Sequence, residues 1–222
     1  MNPEKPNKPK ILSFEGEDRE GFLVYGPDKS ETVNPDSPEI TTFLKHIRED
    51  ARHSFQWTSI EEMYNKLIQL GVNREQLLNT AEETLLTSFK KYAHENTGYS
   101  HQWSSIEDAF QQLIRMGIDK ETILTSVEDI LIDDFRKYAS ENMSYFHTWE
   151  KISEMFLIFL KLGISKEQLL GSAETTLVEG FNKFVTDEVK SSSKWDSLEE
   201  LSQQLVSMGI DKSKLNWRRP KA

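Results

Sequence analysis

The sequence predicts an all-α protein: a right-handed α-solenoid of four 46-residue units with three helices in each. Three observations predict it. Trp57, Trp103, Trp149 and Trp195 stand at steps of 46, and the chain between them aligns to itself without a gap. Phe43, Phe89, Phe135 and Phe181 precede these tryptophans at one fixed spacing, and Gly71, Gly117, Gly163 and Gly209 follow them at the same spacing. Helix-capping signals recur in the same register. Gapless periodicity of this length marks units that bury their apolar faces by stacking on one another.

Residues 1–33 precede the array. They are polar and Pro-rich over 1–9, where disorder is expected. The short apolar runs 11–14 and 22–25 flank Glu15-Gly16-Glu17-Asp18, the pattern of a small β-hairpin that would dock as a cap or stay mobile. Asn34 before Pro35 then reads as a capping residue followed by the residue best tolerated at a first helical position. From there the units run 34–79, 80–125, 126–171 and 172–217, and residues 218–222 form a basic tail. Trp217 falls off the tryptophan register beside that tail, so a minor role is expected for it.

Within the second unit, Thr80 with Glu83 forms a capping box that opens the first helix. Ser104 with Glu107 repeats the signal after Trp103 and opens the middle helix. Gly117 supplies the left-handed residue that ends it, and Asp119 caps a short third helix. Helical spacing buries Ala81, Leu85, Phe89, Tyr92 and Ala93 on the first helix, and Ile106, Ala109, Phe110, Leu113 and Met116 on the middle one. The tryptophan closes the corner between the two stripes. Three helices in a unit of this length resembles the armadillo and HEAT arrays in plan and period, with no signature sequence of either.

Composition narrows the function. A formal charge of −10 and a pI near 5.1 disfavour a general phosphate-binding surface, so nucleic acid is a poor fit, and a cationic or mixed-charge protein partner a better one. Cysteine is absent, which removes disulfides, thiolate nucleophiles and cysteine-ligated zinc. No secretory signal and no apolar run of about 20 residues occurs. A cytoplasmic protein without a membrane span is expected; a leaderless export route would leave no trace in these features.

No P-loop, dinucleotide fingerprint or His-Glu-x-x-His stretch is present. His101 and His147 share a register position, but residues one unit apart are displaced by about a helix-pair width and do not converge on a metal. The acidic pairs Glu61-Glu62, Glu107-Asp108 and Glu199-Glu200 fall in the first turn of the middle helix, where negative charge complements exposed N–H groups. Neither catalysis nor a metal or other cofactor is expected.

Two features remain as candidate sites. Lys45, Lys91, Lys137 and Lys183 repeat in every unit, each with an acid one helical turn further on. They read as exposed ion pairs, with a ligand-facing cationic row as the alternative. The second feature departs from the period. Leu157 and Ile158 stand where the other units have Asn65-Lys66, Gln111-Gln112 and Gln203-Gln204, and Phe146 replaces Ser54, Ser100 and Ser192. The polar counterparts predict that this site faces water, so the three apolar residues read as a partner-binding or self-association patch, with cover by the N-terminal segment or a bend as the alternative. The leading functional reading is a non-catalytic protein-interaction module of adaptor, inhibitor or effector type. A nucleic-acid-binding array using the lysine row and a homo-oligomeric structural protein are its alternatives.

Overall fold

Ser37 before Pro38 is a strong helix start: the serine hydroxyl accepts from the Ile40 N–H, and the proline occupies a first-turn position that needs no donor. In the computed structural model the described residues are 37–143, 146–188 and 194–218. The extension 1–33 with its expected hairpin, the Asn34-Pro35 start and most of the tail lie outside them. The described residues hold eight α-helices and no strand: α1 (Pro38–Asp50), α2 (Ser54–Gln69), α3 (Arg74–Asn96), α4 (Trp103–Met116), α5 (Lys120–Asn142), α6 (Phe146–Leu162), α7 (Lys166–Glu188) and α8 (Trp195–Met208). None is long and apolar enough to cross a membrane.

The expected three helices per unit are two. The short third helix and the first helix of the next unit are one uninterrupted helix of 23 residues in α3, α5 and α7. The reason shows at Thr80, expected as a cap, and at the residues in the same register. Thr80 donates back to the Gln76 carbonyl, Ser126 to Ile123 and Ser172 to Leu169, so each satisfies its hydroxyl inside a helix and leaves the ladder unbroken. The long helices are capped instead by Asn73, by Asp119 as expected, and by Ser165, whose side chains accept from backbone N–H groups in the first turn. Ser104 likewise sits inside α4, whose cap position is Gln102.

The glycine corners match the expectation. Gly71, Gly117, Gly163 and Gly209 have φ of 97°, 111°, 120° and 111°. At Gly117 the following residue's N–H reaches back to the Leu113 carbonyl, which satisfies an end that would otherwise be left bare.

Helices then sort into two layers. α1, α3, α5 and α7 pack side by side in one, and α2, α4, α6 and α8 in the other. Between them lie the four register phenylalanines, all fully buried, with Trp57, Trp103 and Trp149. Trp195 is only half-buried. Every residue expected in the core of α3 and α4 is buried.

The tryptophans do more than fill space. Trp103 Nε1 donates to the Thr97 carbonyl at 2.7 Å, and Trp149 Nε1 to the Met143 carbonyl at 3.2 Å. Each indole thereby satisfies a carbonyl at the C-terminal end of the preceding long helix and pins the loop between the two. Its ring meanwhile packs edge-on against an aromatic of the next long helix, as in Trp57–Phe89 (5.7 Å, 87°) and Trp103–Tyr138 (5.2 Å, 81°).

Trp217 is a correction. By register a helix should begin at Lys212, but only a short 3-10 turn forms (Lys212–Lys214). The chain then runs along α7 and α8. Leu215 and Trp217 are buried, the Trp217 indole donates to Glu199 at 2.8 Å, and the Asn216 N–H donates to the Asn182 side chain at 2.7 Å. Trp217 thus covers a flank that a further helix would otherwise cover, and its role is structural rather than minor.

Candidate functional site

Neighbouring helices of the second layer pack at a distance of about 8–10 Å, which leaves a shallow groove between each adjacent pair. What spans the groove depends on two register positions. Between α2 and α4, Arg115 forms a bidentate pair with Glu61, both contacts at 2.7 Å. Between α4 and α6 the equivalent residues are Glu107 and Lys161, paired at 3.4 Å. Between α6 and α8 they are Ser153 and Ser207. Neither serine reaches across to the other: Ser153 points its hydroxyl at the Met208 sulfur at 3.7 Å, and Ser207 donates to the Gln204 carbonyl of its own helix.

Among the described residues the α6–α8 groove therefore lacks a charged bridge, and Leu157 adds exposed hydrocarbon to it. The groove measures about 370 Å³, with Leu157 and Leu160 of α6 facing Gln204 and Ser207 of α8 over a floor of the buried Phe156 and Met208. Glu150 and Glu154 stand at one end, and Lys166 from the start of α7 at the other. Leu157 is 57 % exposed, a large cost in apolar area left in water. Lys151 holds Glu154 at 2.7 Å, and that carboxylate pushes the Lys151 ammonium above its ordinary value.

The groove between α2 and α4 has a similar volume, about 360 Å³, and opposite chemistry. Ser54, Thr58, Ser105, Asp108, Gln112 and Arg115 line it, with Phe55 at the rim. Phe55 is 68 % exposed and stacks on His53, with rings 4° from parallel. The Glu61 pairing raises the Arg115 guanidinium above its already high value, so that side of the tie holds its charge at any pH where the protein is folded.

The three apolar residues singled out by the period do not all face water. Leu157 does. Ile158 and Phe146 are half-buried and pack on the core. The polar counterparts misled because one of them is itself inside: Gln112, at the register of Ile158, is only 7 % exposed and donates to Thr58 across the α2–α4 contact. That position faces the preceding helix rather than solvent, and Ile158 fills it with hydrocarbon.

The four register lysines lie on the other layer, on α1, α3, α5 and α7, all exposed. Lys45 pairs with Glu49 at 3.9 Å and Lys91 with Glu95 at 3.8 Å, the i,i+4 arrangement expected of solvated faces. The acidic pairs do not act mainly as caps. Glu61 and Glu107 tie one helix to the next, and Glu199 accepts from the Trp217 indole. Among the described residues no three His, Asp or Glu side chains converge as a metal site would require.

Sequence reasoning missed the ties, although their signal is visible. Glu61 and Arg115 are separated by the same interval as Glu107 and Lys161, acid first and base second, and the third instance of that interval is Ser153 and Ser207. Reading the carboxylates as helix-start residues hid the partner one unit further on. No protein-family profile matches this chain, and no curated protein is significantly similar to it.

Proposed function

We propose that the stacked helical pairs form a right-handed α-solenoid, and that it works as a non-catalytic protein-interaction module whose principal contact is the α6–α8 groove. One observation carries the reading: the charged tie that spans the two preceding grooves is replaced by Ser153 and Ser207, at the one groove that also exposes a leucine. Removing a bridge and adding Leu157 at the same place favours occupancy by apolar groups from outside, since exposed apolar surface rimmed by polar groups marks interaction sites. Leu160, half-buried beside Leu157, belongs to the contact, and the buried Phe156 forms the floor under it. Ile158 and Phe146 pack on the core and do not line the groove.

Adaptor, inhibitor and effector roles all use such a surface, and the fold does not choose between them. The lysine row supports no second reading, because acids accompany it and it lies on the opposite layer from the groove.

The test is co-precipitation from a cell extract with the intact chain and with Leu157→Gln, scored by mass spectrometry beside thermal melts of both. The reading predicts equal melting and a defined set of proteins lost with the variant. Identical protein sets from two equally folded chains would contradict it.

A further inference from the structure

We infer that the occupant of the α6–α8 groove is an amphipathic α-helix of a different protein, with apolar side chains at i, i+3 or i+4, and i+7, and a Lys or Arg at the end lying over Glu150 and Glu154. This rests on the reading of the groove as a protein contact and specifies its chemistry.

Backbone satisfaction selects a helix. The walls of the groove are helices whose N–H and C=O groups are already paired along their own ladders, so an extended peptide would find few main-chain partners and would lose water from its own. A helix brings its backbone bonds with it. The groove also has the right length: from Glu150 to Leu160 along α6 is about 15 Å at about 1.5 Å per residue, roughly three turns of a partner helix. That span takes three apolar anchors at helical spacing along the exposed Leu157 and half-buried Leu160, over a floor of Phe156 and Met208.

Charge orients the occupant. Glu150, Glu154 and Leu157 are spaced i, i+4, i+7 and share one face of α6, which places the acids one to two turns from the apolar anchor point. Glu150 is exposed, and among the described residues it has no ion-pair partner within contact distance. A cation on the incoming helix complements it, while Lys166 favours an acid or a helix C-terminus at the other end.

The described residues of a second copy offer no such helix. The large exposed apolar residues of the described chain are Phe55, Leu70, Tyr99, Leu157 and Val206, which lie on separate elements. None of the described helices offers three exposed anchors on one face.

The experiment uses a displayed library of random peptides of about 16 residues, long enough for four helical turns. It is selected on the intact chain and counter-selected on Leu157→Gln. The inference predicts enriched sequences with apolar i, i+3/i+4, i+7 spacing, no interior proline, and Lys or Arg toward one end. A synthetic peptide of that set should bind Glu150→Lys about fivefold more weakly at low salt, a difference that shrinks as salt is added. Enriched peptides that carry proline or lack helical spacing, or that bind Glu150→Lys equally well, would overturn the inference and leave the groove reading intact. No difference between selections on the intact chain and on Leu157→Gln would overturn both. Sedimentation showing a dimer that Leu157→Gln dissociates would assign the groove to a second copy and overturn the inference.

Discussion

Arg115 lays its guanidinium against the Glu61 carboxylate, with two contacts of 2.7 Å, while its own backbone carbonyl accepts from Arg74 at 3.0 Å. One residue therefore ties α4 sideways to α2 and end-on to the start of α3. Glu61 is the more enclosed partner, with 16 % of its side chain exposed, so the pair is better placed than a typical surface bridge. A double-mutant cycle of Glu61→Gln and Arg115→Met, followed by urea denaturation, is expected to give a coupling of about 1 kcal/mol. The longer Glu107–Lys161 contact should give less, on the order of 0.3 kcal/mol.

The tryptophans separate packing from hydrogen bonding. Trp103 donates to the Thr97 carbonyl, whereas Trp57, fully buried at the equivalent position, has no partner for its Nε1. Trp103→Phe is therefore expected to cost about 1 kcal/mol more than Trp57→Phe, because only the first change orphans a buried carbonyl. Denaturant titrations of the two single variants measure the difference directly.

Gly117 and Gly98 form a matched pair. A side chain at Gly117 would be forced to φ of 111° and would meet the Arg74 guanidinium at 3.2 Å, while one at Gly98 would meet nothing within 4 Å. Gly117→Ala is expected to destabilise by about 1–3 kcal/mol, and Gly98→Ala to stay within about 0.5 kcal/mol of the parent. Thermal melts of the two are the check.

Tyr92 gives the pH dependence. It is buried between the layers beside Trp57, and burial pushes its phenol up to about 12. A group whose folded value is raised contributes stability that is complete below its unfolded value near 10 and is lost as pH climbs toward 12. The loss should be on the order of 2 kcal/mol, and Tyr92→Phe should flatten it. Urea midpoints taken across that alkaline range, for the parent and the variant, give the comparison.

The helices and their core were legible because the period repeats them: Phe89, Trp103, Leu113 and Gly117 each have counterparts in every unit, and each sits where the register puts it. Two errors came from signals that are locally ambiguous. A Ser or Thr before an acid reads as a capping box, yet Thr80 turns its hydroxyl back into its own helix, and nothing local distinguishes the two uses. Trp217 looked peripheral because it falls off the tryptophan register beside the tail, and its register counterparts Asn79, Thr125 and Gly171 lie inside helices, so no repeated position shows a residue covering a flank. The groove was half legible. Leu157 broke the pattern visibly, while the missing tie needed two positions more than a full unit apart to be read together.

Loss of the tie leaves the α6–α8 groove without a charged bridge beside the exposed Leu157, and restoring the bridge is the decisive check. The measurement is quantitative co-precipitation with Ser153→Glu combined with Ser207→Arg, compared with the intact chain and with Leu157→Gln, beside thermal melts of all three. The restored tie is expected to leave stability unchanged or slightly raised, and the proteins lost with Leu157→Gln are expected to be lost here too, although Leu157 itself is untouched. A restored chain that melts like the parent and retains those proteins in full would contradict the proposed contact.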